Sequence, residues 1–180
     1  VRLKGGDGYL FGRGGEEWNH CVAAGVPVEA VPGVSSAFSV PALAGIPVTH
    51  RGLSQGVAVV SGHVAPDDPR STVDWDGIAR SGLTLVVLMG VATLPAISRR
   101  LIDAGLDPHT PAASISDGGL PSQQSVRGTL ASIAAAAILR SRTRPSGLFG
   151  YTHSTSDRPW YAATADVIVT GGVIAGSANL

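Results

Sequence analysis

The chain has 180 residues, 44% of them hydrophobic, and its 13 basic and 13 acidic side chains give a formal net charge of +0. This balance excludes binding to nucleic acid or to an anionic membrane through a field of one sign, and the single Cys21 excludes an intramolecular disulfide and a cysteine-built metal site. No apolar run approaches the roughly 18 residues of a membrane-spanning helix and no signal peptide is recognisable, so we expect a cytoplasmic protein.

The first quarter of the chain predicts short elements that stop at glycines. They are, in chain order, a strand at 1–4, a helix from 14 to 25, a strand at 28–31 and a small-residue helix at 36–44. Ser35 has a residue type that caps helix N-termini, which sets the start of the second helix. The following stretch, 45–56, mixes Pro, Thr, His and Gly without a period, and we interpret it as a domain boundary.

Strands and helices alternate again after this boundary. The pattern predicts strands at 57–60, 83–89, 111–116, 123–127 and 167–169, and helices at 75–80, at 92–104 and from 128 onward. The run LTLVVLM at 83–89 has no polar alternation, which predicts a strand buried on both faces. Residues 140–165 show neither period, and we predict a loop or a disordered insert there. The alternation favours an α/β fold with mainly parallel pairing.

The segment VRLKGGDGYLFGRGGEE at 1–17 has the composition of a ligand-binding loop. Adjacent Gly5 and Gly6 allow the backbone to approach a ligand closely. Asp7 can accept a hydrogen bond from a hydroxyl or an amine, and the planar guanidinium of Arg13 suits a carboxylate. Two tight turns with solvated charges explain the same residues equally simply. No Gly-Lys-Ser or Gly-Lys-Thr follows, so the segment is not a P-loop.

This segment resembles the VRLKGGDPxxFGRGGEE signature of the uroporphyrinogen-III methyltransferases, within the tetrapyrrole methylase family. VPGVSSAFSVPALAGIPVTHRG at 31–52 is similar to the family's PGxTSAxxxPAxAGIPxTHR block. Shorter matches follow in the family's order: VVSGH at 59–63, VVLMG at 86–90 and VRGTL at 126–130. The resemblance covers residues 1–138, with a faint return at 166–175. It implies an α/β two-domain fold in which 1–48 is part of an incomplete first domain and 49–180 is the second domain, with an atypical insert near 140–165.

The resemblance implies that S-adenosyl-L-methionine is the cofactor. The positions that match the family's cofactor contacts are Gly5, Gly6, Asp7, Leu10, Ser35, Ser36, Met89 and Gly118. Asp7 is expected at the amino-acid or ribose end, the two serines at a helix N-terminus, and Leu10 and Met89 against the adenosine. For Met89 alone, packing in the core is the competing interpretation.

The implied substrate, uroporphyrinogen III, carries many carboxylates, and these need cationic partners. The candidates are Arg13, Thr49, His50 and Arg51, although a capped domain linker explains the last three as well. His63, at the end of a predicted strand, is interpreted as a hydrogen-bonded structural histidine. No metal-binding constellation is present. The family's proposed acid and base residues lie upstream of residue 1, so no catalytic residue is assigned.

The implied reaction is methylation of uroporphyrinogen III at C-2 and C-7 to give precorrin-2, a step of sirohaem and cobalamin synthesis, by a homodimer. Two departures affect the expected site: Gly8 replaces the family's proline, and Ser35 replaces a threonine while keeping the hydroxyl. Two alternatives remain open. One is a related methyltransferase acting on another precorrin, and the other is a truncated fragment without catalytic activity.

Overall fold

The computed structural model describes residues 1–142 and 167–170. Their helices are α1 (Gly14–Ala23), α2 (Ser36–Leu43), α3 (Trp75–Arg80), α4 (Leu94–Asp103) and α5 (Leu130–Arg142). Their strands are β1 (Val57–Ser61), β2 (Thr84–Leu88), β3 (Pro111–Ser116), β4 (Gln124–Thr129) and β5 (Val167–Thr170). The strands and helices predicted after residue 56 are therefore confirmed, with small shifts at their ends.

The strands form one sheet in the order β1-β2-β5-β3-β4. Among the described strands, only β1 and β2 pair in parallel; β5 runs antiparallel to both β2 and β3, and β4 runs antiparallel to β3. The prediction of mainly parallel pairing is wrong, because β5 lies between two strands that share a direction and β4 returns from β3 through a short loop. The carboxyl ends of β1, β2 and β3 still meet at one edge of the sheet.

Helices cover both faces of this sheet. Val86 and Leu88 of β2 belong to a core cluster with α2, whereas Leu85 and Val87 belong to a cluster with α3, α4 and α5. Every residue of β2 is buried, which confirms the strand predicted to be covered on both faces. Each such Leu or Val side chain contributes about 1.5–3 kcal/mol by leaving water, so β2 anchors the three-layer arrangement.

The early part of the chain differs more from the expectation. Residues 1–4 and 28–31 form no strand, because no neighbouring strand in the described part of the chain pairs with their backbone. The two helices predicted between Gly14 and Ala44 are confirmed, and Ser35 is the N-cap of α2 as expected. The sheet with helices on both faces confirms the predicted α/β class.

Residues 140–142 of the predicted insert near 140–165 belong to α5. The remainder of the insert, 143–165, lies outside the described residues. No helix within 1–142 or 167–170 has the length and apolarity to cross a membrane.

Candidate functional site

The candidate site is built around the N-terminal end of α2. The Gly5-Gly6-Asp7 turn lies against this end: a Cβ atom on Gly6 would be 3.8 Å from the carbonyl oxygen of Val34 and 3.9 Å from the Cα of Ser35. Gly6 has a φ of 70°, a conformation that glycine adopts without strain. The structure therefore brings together the glycine turn and the serine pair, which are about 30 residues apart in the sequence.

Asp7 ties this turn to the loop before α2. Its Oδ2 accepts from the backbone N–H of Gly33 at 3.1 Å, and its Oδ1 accepts from the backbone N–H of Tyr9 at 2.7 Å. The Gly33 N–H and then the Tyr9 N–H stabilise the charged form and lower the pKa of Asp7 below its ordinary value of 3.8. The carboxylate thus positions the loops, and only its remaining lone pairs are open to a ligand.

Gly33 was not assigned a role in the sequence analysis, yet the contact between the two loops depends on it. A Cβ at this position would lie 2.0 Å from the carbonyl oxygen of Gly6. This distance is far inside van der Waals contact, so any other residue would push the loops apart. The VPGVSS segment contained this glycine, but only the three-dimensional structure shows what it approaches.

Ser35 acts first as a helix cap. Its Oγ accepts from the backbone N–H of Ala37 at 3.2 Å, and the residue is only 8% exposed. An accepting hydroxyl still has its own O–H to donate. Ser36 is half-buried in the first turn, where the first backbone N–H groups of a helix have no intrahelical partner. Both serines can therefore offer hydrogen-bond donors to a polar ligand.

Two more predicted site residues follow the strands of the sheet. Met89, directly after β2, has a φ of 59° and is 50% exposed, so the alternative that it packs in the core is wrong. Gly118, after β3, packs against α2: a Cβ there would lie 2.3 Å from Cγ2 of Val40. Leu10 is half-buried against the same cluster of α2 and β2 residues. The requirement for glycine at 118 thus comes from helix packing.

Backbone strain concentrates around these loops. Among the described residues, the positive φ values outside glycine belong to Phe11, Arg13, Met89 and Asp117. The first two lie in the loop before α1, and the other two directly follow β2 and β3. Left-handed backbone at non-glycine residues is costly and clusters at binding sites. All four residues lie in or next to the positions that match the family, and Met89 and Asp117 lie at the carboxyl ends of β2 and β3.

Ion pairs hold the loop before α1. The Lys4 Nζ lies 2.9 Å from Oε1 of Glu17 and also donates to the carbonyl oxygen of Gly12. The hydrogen bond from the Lys4 ammonium is the main reason why the pKa of Glu17 is lowered. Arg13, predicted to contact substrate, pairs with Glu16 at 2.6 Å, and both side chains are exposed. The guanidinium can still reach a ligand, but it must share its donors with Glu16.

Thr49, His50 and Arg51 lie in the turn that leads into β1, and all three are exposed. The backbones of His50 and Ser54 bond to each other, and the His50 ring Nδ1 lies 2.8 Å from the carbonyl oxygen of Arg51. These local contacts close the turn before β1. The role in substrate binding stays a prediction.

Two long side chains of the β3–β4 region make hydrogen bonds that the sequence did not predict. Gln123 accepts from the backbone N–H of Gly119 at 2.8 Å, and Arg127 donates to the carbonyl oxygen of Ala44 at the end of α2, at 3.1 Å. The second contact joins residues 83 apart, so no local signal could have found it. Within the described ranges, no group of three or more His, Cys, Asp or Glu side chains could hold a metal ion.

The chain is similar in sequence to proteins of one family. The family model of the tetrapyrrole (corrin/porphyrin) methylases matches residues 1–134. The S-adenosyl-L-methionine-dependent uroporphyrinogen III methyltransferase of Methanosarcina barkeri is 47% identical over 146 residues, which are 81% of this chain and 57% of that protein. The uroporphyrinogen-III C-methyltransferase of Synechocystis is 47% identical over 135 residues, 75% of this chain and 51% of that protein.

A solved structure is similar along most of the chain. The uroporphyrin-III C-methyltransferase of Thermus thermophilus, complexed with S-adenosyl homocysteine, has a TM-score of 0.69 and 35% identity, covering 97% of this chain and 66% of its own. The chain thus spans about half the length of the two relatives above. With the family model matched over most of its described residues, the chain belongs to the tetrapyrrole methylases.

Proposed function

We propose that this chain binds S-adenosyl-L-methionine and takes part in the C-methylation of uroporphyrinogen III at C-2 and C-7 to give precorrin-2. The observation that carries the proposal is the convergence of the Gly5-Gly6-Asp7 turn on the N-terminal end of α2, beside the edge of the sheet where Met89 is strained and half-exposed. The family model matches residues 1–134, which include both segments and Met89, and the relatives named as uroporphyrinogen III methyltransferases are 47% identical over 146 and 135 residues.

The residues of this site suit the parts of the cofactor. A Cβ on Gly5 would meet nothing within 4 Å, so its surface is open to a ligand. The backbone of Gly5 and Gly6 carries no side chain and can therefore lie against the cofactor. Asp7 accepts hydrogen bonds from the cofactor's amine or ribose hydroxyls. Ser35 and Ser36 donate at the helix N-terminus, where the helix dipole favours a carboxylate. Leu10 and Met89 supply apolar contact for the adenosine, and Gly118 keeps α2 close to the sheet.

When bound, the cofactor would supply an activated methyl group to a nucleophilic ring carbon of the substrate; the electron pair of the broken C–S bond would stay on the sulfur of S-adenosylhomocysteine, and the methylated substrate would lose one proton to solvent. The chain's own residues contribute mainly positioning, which can lower such a barrier by about 7–11 kcal/mol. Arg13, Thr49, His50 and Arg51 are proposed to bind the substrate's carboxylates. We further propose a cytoplasmic homodimer, with 1–48 and 49–180 belonging to two domains on either side of the bound cofactor.

The test is a pair of glycine substitutions with matched surroundings. Neither Gly5 nor Gly15 has an atom within 4 Å of an added Cβ, and neither has a positive φ, so both Gly5→Ala and Gly15→Ala are expected to fold normally. Calorimetric titration with S-adenosylhomocysteine measures the effect on the site. Gly5→Ala is expected to weaken binding about ten-fold or more, because the methyl group displaces a ligand packed on the turn, whereas Gly15→Ala leaves the affinity unchanged.

Two results would refute the proposal. One is a folded wild-type chain that shows no binding heat; this favours the reading of the chain as a non-catalytic fragment. The other is an equal affinity for the wild-type and Gly5→Ala chains, which removes the glycine turn from the site.

A further inference from the structure

We propose that Arg127 is a positioning residue for the cofactor site: by holding the C-terminal end of α2, it fixes where the N-terminal end of the same helix meets the glycine turn. This role rests on the function proposed above, because the site it serves is the one at Ser35 and Ser36. Its basis is the hydrogen bond from the Arg127 guanidinium to the carbonyl oxygen of Ala44, at 3.1 Å, which joins β4 to the C-cap of α2.

The register of the sheet places Arg127 on the face that α2 covers. Arg127 of β4 is the partner of Ala113 of β3, and residues directly opposite each other in an antiparallel pair have their side chains on the same face. Ala113 is fully buried in the core cluster that also contains Ala37 and Val40 of α2. The long side chain of Arg127 therefore extends along this face to the end of the helix, although the residue itself is exposed on the edge strand of the sheet.

The carbonyl oxygen of Ala44 suits a cationic donor because it lies at the end of the helix. The last carbonyl groups of a helix have no partner within it and carry the negative end of its dipole. The chain turns away from the axis at Gly45, which has a φ of 68°, and the backbone N–H of Ile46 donates back to the carbonyl oxygen of Pro41 at 2.8 Å. A guanidinium at this end is therefore favoured both by the hydrogen bond and by its charge.

A contact at the far end of α2 matters because its packing contact with Gly118 lies near the middle of the helix. A Cβ on Gly118 would overlap Val40, the fifth of the eight residues of α2. At about 1.5 Å per residue, Ser35 and Ala44 lie about 7.5 Å and 6 Å from Val40 along the axis. If the helix swings about this contact, a shift of its C-terminal end moves its N-terminal end by a similar distance. Apolar burial of Ile46 is non-directional, whereas the hydrogen bond from the guanidinium has a fixed direction and opposes the swing.

Three variants separate this hydrogen bond from other effects of the side chain. Arg127→Met keeps a long unbranched stem on the sheet but removes every donor. Arg127→Lys restores a cationic donor. Ile133→Val is the matched control: Ile133 is fully buried on α5, in the core cluster on the opposite face of the sheet. Loss of one buried methyl group lowers stability about as much as loss of one hydrogen bond, but it leaves the contacts of α2 intact.

The experiment uses the whole chain and two measurements. Calorimetric titration gives the affinity for S-adenosylhomocysteine, and amide hydrogen exchange without ligand compares α2 with α5. Arg127→Met is expected to speed exchange in α2 but not in α5, and to weaken S-adenosylhomocysteine binding about three- to ten-fold, the equivalent of about one hydrogen bond. Arg127→Lys is expected to recover most of this affinity. Ile133→Val is expected to lower the melting temperature to a similar extent as Arg127→Met, with wild-type affinity and wild-type exchange in α2.

The outcomes separate this inference from the proposed function. If Gly5→Ala weakens S-adenosylhomocysteine binding but Arg127→Met binds as wild type does, only the role of Arg127 is wrong. Equal weakening by Arg127→Met and Ile133→Val also overturns this role, because the loss then follows stability alone. An Arg127→Lys chain that binds as weakly as Arg127→Met shows that the donated hydrogen bond is not the cause. A folded wild-type chain that does not bind S-adenosylhomocysteine refutes the proposed function, and the role of Arg127 with it.

Discussion

Gly118→Ala tests whether packing of α2 against the loop after β3 maintains the candidate site. The added Cβ would lie 2.3 Å from Cγ2, 2.5 Å from Cγ1 and 2.9 Å from Cβ of Val40. Val40 is 3% exposed, and its branched side chain has little rotamer freedom in a helix. Because the close-packed core cannot absorb the methyl group locally, α2 or the loop must move.

Overpacking of this kind costs about 1–3 kcal/mol. For a chain of this size, 1 kcal/mol lowers the melting temperature by about 2–4 °C, so a total decrease of about 2–12 °C is expected. Urea unfolding followed by circular dichroism measures the loss of stability. Titration with S-adenosylhomocysteine shows whether displacement of α2 also weakens binding at its N-terminal end. Gly15→Ala, in open space on α1, is the control and is expected to be neutral or slightly stabilising.

The double variant Gly118→Ala/Val40→Ala decides the cause. Val40→Ala removes both γ carbons and by itself costs about 1.5–3 kcal/mol through lost burial and a cavity. In the Gly118→Ala background it also relieves the clash, so the double variant is expected to be more stable than the sum of the single effects predicts, by about 0.5–3 kcal/mol. Strict additivity, or a Gly118→Ala chain as stable as wild type, would refute the packing argument.

Two further predictions concern the loops at the N-terminal end of α2. Asp7→Asn replaces one accepting oxygen with an amide that faces a backbone N–H of Gly33 or Tyr9, so S-adenosylhomocysteine affinity is expected to fall about ten-fold; wild-type affinity refutes this. The Gly33 N–H and then the Tyr9 N–H depress the pKa of Asp7 in the folded chain. The charged Asp7 side chain therefore stabilises the folded chain above the unfolded pKa of 3.8, and this stabilisation is lost as the pH falls through the lower folded pKa. Acid unfolding of the wild-type chain and of Asp7→Asn measures the difference in stability between them. A difference that persists unchanged at low pH contradicts this expectation. Ser35→Ala removes the cap of α2 and is expected to cost about 0.5–2 kcal/mol in urea unfolding, whereas Ser35→Thr keeps most of the stability; equal losses for both would show that the cap is unimportant.

Features with a local cause were predictable from the residues alone. Ser35 caps α2 because its hydroxyl reaches an N–H only two residues ahead. The unbroken apolar run of β2 requires cover on both faces, and both faces are covered. The ordered motifs also identified the family, because each motif consists of neighbouring residues whose spacing does not depend on the rest of the fold.

Features with a distant cause required the tertiary structure. The antiparallel insertion of β5 between β2 and β3, and the absence of strands at 1–4 and 28–31, depend on which partners are available in space. Gly33 is confined by Gly6, and Gly118 by Val40, across separations that no periodicity records. The amino-acid order thus specified which residues are suited to a binding loop, but only folding decided which of them lie together, because backbone contacts between distant segments leave no repeating pattern in the chain.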